Sequence, residues 1–180
     1  NVSAVTFHEG AANELTSYNL NEIIFAKNEK LNTYNPLYYA KALESLIDES
    51  CNAVFFAHTY ETRDWVPRLS VRMNYPFISD CVNLKNENES LVITRQTYQG
   101  KLNNDFELKT NVFCSIQSGC FKSDDLDNGS SQVTTVETDI NDIINTIRAE
   151  EKFKEQKGGV DLSSADLIVS VGRGIAKEEN

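Results

Sequence analysis

The run from Cys51 to Ala57, CNAVFFA, constrains this chain more than any other stretch. It reads as a continuous apolar strand of the kind that is buried on both faces of a parallel sheet. Its neighbours alternate in the same style. Val2 to Phe7 is a β-rich run ending in His8-Glu9-Gly10, Ala11 to Tyr18 reads as a short helix, and Glu22 to Ala26 (EIIFA) as a second buried strand. Asn35-Pro36 then opens a helix, with proline in the tolerated first turn and apolar residues at Leu37, Ala40, Leu43 and Ile47. After the polar connection Thr59 to Arg63, Asp64 is the expected N-cap of a helix whose body is Trp65 to Met73. Repeated β-α-β order predicts a parallel sheet covered by helices, with right-handed crossovers.

The second half changes character. Ile78 to Leu84, Leu91 to Tyr98 and Phe106 to Ile116 read as strands joined by polar, Asn-rich turns, an antiparallel meander attached to the parallel core. Ser123 to Ser131 (SDDLDNGSS) is acidic, rich in Gly and Ser and without apolar periodicity, which predicts a surface loop or linker. Thr138 or Asp139 through Phe153 reads as a helix with Ile140, Ile143, Ile144 and Ile147 on one stripe, ended by Gly158-Gly159. A short apolar strand, Leu167 to Val169, follows. The fold class expected is α/β: a Rossmann-like parallel sheet with flanking helices and an antiparallel hairpin extension.

A formal net charge of -10 excludes a binder of nucleic-acid phosphates, which needs clustered Lys and Arg. No apolar run reaches the length of a membrane span. The four cysteines, Cys51, Cys81, Cys114 and Cys120, form no C-x-x-C pair and are expected as reduced thiols, mostly buried. His8 and His58 lie far apart in sequence and are read as strand-end or core-edge residues rather than metal ligands. Asp124, Asp125 and Asp127 lack the ligand spacing of a calcium loop, and no Gly-x-Ser-x-Gly elbow anchors a hydrolase triad. Tyr34, Tyr38 and Tyr39 are read as packing.

Two motifs carry the functional argument. Glu61 to Leu69 (ETRDWVPRL) follows a buried strand and opens a helix, the place where open α/β sheets put ligand sites. Asp64 and Arg68 are four apart and can pair, and Arg63 stands at the corner; the favoured reading is a capped, ion-paired helix start. Gly172-Arg173-Gly174, after the final strand, couples a permissive turn to a planar five-donor guanidinium suited to phosphate.

Ala165 to Ile175, with Glu179-Asn180 after it, resembles the start of the flavin-binding domain of electron transfer flavoprotein alpha subunits, with Val171 where that family has the first glycine of Ser-Gly-Gly-Arg-Gly. Thr62 to Leu69 is similar to the family's Gly-Arg-Asp-Leu-x-Pro-Arg-Leu, with Thr62 and Trp65 as departures. Ile78 to Val82 is similar to its Thr-Asp-Cys strand. Arg95 to Leu102 is similar to its Arg-Pro-x-Tyr-Gly-Gly-Asn hairpin, with Gln96, Gln99 and Lys101 departing, and Ser118 to Phe121 to its Pro-Gly-Val-Phe. The matches fall in the family's order over Ala57 to Asn180.

The resemblance implies an electron carrier subunit rather than an enzyme with its own substrate chemistry. It implies residues 1–157 as the N-terminal α/β domain and 158–180 as linker and first strand of a flavin domain continuing past Asn180, with the family's first strand and helix before Asn1. FAD is the implied cofactor, contacted here by Arg173 with Gly172 and Gly174 shaping its loop, and AMP is expected on a partner beta subunit. Acyl-CoA dehydrogenases are the implied donors, and a quinone oxidoreductase or bifurcating complex the acceptor. An Asn-rich composition favours a bacterial cytoplasm over a mitochondrial matrix. The alternative is a free-standing nucleotide-binding or scaffold module without flavin.

Overall fold

The computed structural model describes residues 1–48, 50–87, 90–122, 126, 128–150 and 167–172. The chain divides into two compact units, Asn1–Ala149 and Glu150–Asn180. In chain order the first unit contains β1 (Ser3–Thr6), α1 (Glu9–Leu15), β2 (Glu22–Lys27), α2 (Pro36–Glu44), β3 (Ala53–Ala57), α3 (Tyr60–Met73), β4 (Phe77–Glu87), β5 (Ser90–Thr97), β6 (Leu102–Glu107), β7 (Val112–Ile116) and β8 (Val133–Glu137).

The strands form two hydrogen-bonded sheets, ordered β1-β2-β8 and β3-β7-β4-β5-β6. The first is all parallel. In the second, β7 runs parallel to both β3 and β4, while β4-β5-β6 is an antiparallel arm. The α/β class and the hairpin extension expected from the sequence are both present.

Side chains alternate across β7, so it feeds two cores. Phe113 joins Trp65, Val66, Leu69, Leu43, Leu31 and Ile140 in the larger core, which α2 and α3 cover. Val112 and Cys114 join Cys81 and Ile93 on the opposite face. Trp65 organises the larger core: Phe56, Tyr39 and Phe7 meet it edge-on or tilted, with ring centroids at 5.5, 6.1 and 6.4 Å. Edge-on pairs of this kind add about 0.5–1.5 kcal/mol each beyond burial.

Several expectations are corrected. The strand buried on both faces is β7, whose first four residues are all buried, whereas β3 lies at a sheet edge and leaves Phe55 41% exposed. Phe106 to Ile116 is not one strand: Glu107 ends β6 at an arm edge, and β7 starts afresh beside β3. Helix α3 begins a turn before Asp64, because Thr59 is its N-cap and accepts the Thr62 amide at 3.1 Å. It ends at Asn74 in the left-handed conformation, φ 55°. Strand β8 is present although the sequence does not announce it.

The helix expected from Thr138 or Asp139 does not form up to Glu150, and residues 151–153 lie outside the described residues. Asp139 accepts the Asn141 amide at 3.1 Å and Asn145 accepts the Ile147 amide at 3.1 Å. Such side-chain turns take the donors that a helix would need. The isoleucine stripe is split accordingly, with Ile140 fully buried and Ile144 84% exposed.

The end of the acidic segment is pinned rather than free. Gly129 donates to the Ser17 carbonyl at 2.8 Å and Ser131 to that of Thr16 at 3.0 Å. A Cβ at Gly129 would stand 2.5 Å from the Asn19 backbone, so that crossing requires glycine. In the second unit, Leu167 to Gly172 carry no regular secondary structure and are exposed. An apolar segment becomes a strand only with a ladder partner, and these residues have none among those described.

Candidate functional site

The carboxyl ends of β3 and β7 meet the point at Asp80 where β4 leaves β7, and they form one corner, at the end of the parallel strands where open α/β sheets place their ligand sites. His58 follows β3 and donates its backbone N–H to Ile116 at 2.8 Å. Ser115, fully buried in β7, brings its Oγ within 2.9 Å of His58 Nδ1 and accepts the Asp80 backbone N–H at 3.1 Å. The Asp80 carboxylate stands 3.7 Å from His58 Nε2. Asp80 has φ 59° at the irregularity between Ile78 and Cys81, where β4 leaves β7 for β5. Asp tolerates this left-handed geometry better than most residues.

The chemistry of the corner follows from access. A nucleophilic serine must reach a substrate, and Ser115 is buried with its oxygen engaged by a backbone donor. If the Ser115 hydroxyl donates to Nδ1, the proton on the neutral imidazole sits on Nε2, facing the Asp80 carboxylate. Ser-His-Asp here is a brace that ties the ends of β3 and β7 to β4, in keeping with the missing nucleophile motif. In the sequence alone His58 stands as a core-edge residue, and Asp80 and Ser115 have no evident role. Only the Ser79-Asp80-Cys81 motif marked the place.

On the first turns of α3, Asp64 accepts the Tyr34 hydroxyl at 2.8 Å instead of pairing with Arg68. Burial, and then that hydrogen bond, hold the Tyr34 hydroxyl well above the ordinary tyrosine range. Arg63 lies over the Tyr60 ring at 5.6 Å. Arg68 lines a groove of about 490 Å³ floored by Leu37, Ala40, Pro67 and Val71. No ion pair of Arg63 or Arg68 occurs among the described residues.

All four cysteines are free thiols, and burial pushes Cys81 up to about 11 and Cys114 to about 12. Among the described residues no three His, Cys, Asp or Glu side chains gather as a metal site, and no helix is long and apolar enough to cross a membrane. Of the glycine-arginine loop, Gly172 is exposed with open space where a Cβ would stand. Its backbone is therefore approachable by a ligand. Arg173 and Gly174 lie outside the described residues.

The family model described as "Electron transfer flavoprotein domain" matches residues 1–141, which hold every strand and helix of the first unit. This chain belongs to the electron transfer flavoprotein family. It is 29% identical over 177 residues to electron transfer flavoprotein subunit alpha of Bacillus subtilis, covering 95% of this chain and 53% of that protein. It is 30% identical over 185 residues to the subunit alpha of Thermoanaerobacterium thermosaccharolyticum, covering 97% and 56%. A 26% identity over 174 residues relates it to subunit LctC of lactate dehydrogenase (NAD(+),ferredoxin) of Acetobacterium woodii, covering 94% and 41%. The chain thus spans about half the length of the curated electron transfer flavoprotein alpha subunits it matches.

Proposed function

We propose that this protein acts as the alpha subunit of an electron carrier, holding FAD jointly with a domain that follows residues 1–157. The match of an electron transfer flavoprotein model to residues 1–141, nearly all of the first unit, carries this reading. Bound FAD would supply the electron chemistry; the chain's own part is to bind it, orient it and dock partners. Gly172, with nothing within 4 Å of its missing Cβ, leaves room for close backbone approach, and the next residue, Arg173, is the proposed guanidinium contact to the anionic cofactor, with Gly174 after it. Residues 158–180 are the linker and opening segment of that flavin domain.

The proposed assembly is a heterodimer whose beta subunit holds AMP. Acyl-CoA dehydrogenases are the proposed donors, and a quinone oxidoreductase or a bifurcating complex the acceptor. The relative named lactate dehydrogenase (NAD(+),ferredoxin) supports keeping the bifurcating arrangement among the acceptors. A bacterial cytoplasm is the proposed compartment.

The test is a visible absorption spectrum of the complete gene product purified with its beta partner. A bound-flavin spectrum that disappears in Arg173→Ala supports the reading. A folded complex that is colourless and takes up no added FAD overturns it in favour of a nucleotide-binding or scaffold module.

A further inference from the structure

Helices α2 and α3 leave an open groove of about 490 Å³ whose walls follow from residue spacing. Leu37 and Ala40 are three apart on α2, and Pro67 and Val71 are four apart on α3, so each pair shares one helix face. Arg68 and Arg72 repeat the four-residue spacing on the adjoining row of α3. Ile143 supplies the third wall, from the segment that follows β8. That segment is fastened to α2 by the Lys41–Asp142 ion pair at 3.2 Å, and to the α2 cap by Asn35 Nδ2 donating to Asn145 Oδ1 at 3.0 Å.

Apart from its two guanidiniums the lining is apolar. Small-ligand sites have this make-up: a cleft of roughly 300–1,000 Å³, mainly hydrophobic, with a few polar groups that orient the occupant. The cations around the groove are not equivalent. Arg72 is held by Glu44 and Lys41 by Asp142, whereas Arg68 has no carboxylate within ion-pair distance among the described residues. In a chain of formal net charge -10, that leaves one guanidinium at the groove for an external anion.

Chemistry narrows the anion. A phosphate ester would call for several converging donors, and the N-terminus of α2 does not add them, because Asn35 Oδ1 already takes the Leu37 and Tyr38 amides. A single planar guanidinium matches one carboxylate, which it can grip through two parallel N–H donors. The apolar side chains beside it match an alkyl chain, which gains by leaving water. We propose that this groove binds an aliphatic monocarboxylate, its chain along Leu37, Ala40, Pro67 and Val71 and its carboxylate on Arg68. The inference goes beyond the electron-carrier reading and uses none of residues 158–180.

The experiment is isothermal titration calorimetry of the complete gene product, purified with its beta partner, against n-octanoate, with 1-octanol as the uncharged probe of the same chain length. Saturable octanoate binding is expected, tighter than that of octanol by about threefold or more, the scale of one solvent-exposed ion pair. Arg68→Gln should remove that advantage and leave octanol binding unchanged. Val71→Glu, at a position 82% exposed and so tolerant of charge, should weaken octanoate by at least as much. Arg63→Gln, which lies over Tyr60 outside the groove, should alter neither. Absence of saturable octanoate binding overturns the inference, as does binding that both Arg68→Gln and Val71→Glu leave untouched. Equal affinity for octanol and octanoate overturns it too, and so does a Val71→Glu chain that folds but no longer co-purifies with the beta partner, since the groove is then a protein contact. A colourless wild-type complex whose octanoate binding depends on Arg68 supports this site and removes only the flavin reading. A flavin-loaded complex that ignores octanoate does the reverse.

Discussion

The Ser115 hydroxyl lies 2.9 Å from His58 Nδ1 and at the same time accepts the backbone N–H of Asp80 at 3.1 Å. One buried oxygen therefore joins the residue after β3 to a left-handed residue in β4. Ser115→Ala would leave the Asp80 donor unmatched and free the imidazole, at a cost of about 1–3 kcal/mol. Urea unfolding is expected to show a lower midpoint at unchanged slope. An unchanged midpoint would mean that the corner is held by other groups.

Asn35 serves two segments at once. Its Oδ1 accepts the Leu37 and Tyr38 amides at 3.0 and 3.3 Å, capping α2, while its Nδ2 donates to Asn145 Oδ1 at 3.0 Å and to the Ile147 carbonyl at 3.4 Å. Asn35→Asp retains the cap but loses the donor, so residues 141–147 should become more susceptible to proteolysis while α2 persists. Asn35→Ala loses both functions, including about 1 kcal/mol for the cap. Equal proteolysis of the wild type and Asn35→Asp would show that the side chain does not hold residues 141–147.

Two thiols set an alkaline limit on stability. Burial raises Cys81 to about 11 and Cys114 to about 12, from 9.0 in a free chain. The folded protein thus binds these protons more tightly than the unfolded one. Their contribution is fully present below pH 9 and is lost as pH rises through 11 to 12. The urea midpoint should fall across that window, and Cys81→Ala with Cys114→Ala should flatten the decline. At pH 8, thiol reagents should label both cysteines slowly until the protein is unfolded. Rapid labelling of the native protein would contradict this burial.

The parallel core was legible because its signals are local. EIIFA and AVFFA announce strands, and Asn35-Pro36 announces a capped helix; β2, β3 and α2 appear where those patterns stand. What escaped depends on partners distant in sequence. Val133 to Glu137 carries no distinctive apolar run and becomes β8 only because β2 offers it a parallel edge. Apolar period alone makes Ile140 to Ile147 helical, but Asp139 and Asn145 spend their side chains on local turns. Similarly, spacing invites Asp64 to pair with Arg68, yet Tyr34, thirty residues earlier, reaches it first. The corner of His58, Asp80 and Ser115 was marked only at Ser79-Asp80-Cys81 for the same reason, since it joins the ends of β3 and β7 to a residue within β4. The glycine-arginine segment stays an expectation of the sequence: Gly172 is described, and Arg173 and Gly174 lie outside the described residues.

The chain order of the strands has a kinetic consequence. Strand β7 must insert between β3 and β4 after the whole arm has been made, and β8 returns to β2 later still. Thr138, just past β8, bonds Asn28 across 110 residues. Neither sheet is complete during synthesis until its late strand emerges, so the nascent chain waits with β3 unpaired and one edge each of β2 and β4 open. Long-range parallel pairing of this sort is slow and leaves edges open to wrong partners. Folding of this protein should therefore be limited by the arrival of β7 and β8 rather than by the early helices, and the waiting chain is the form most in need of a chaperone.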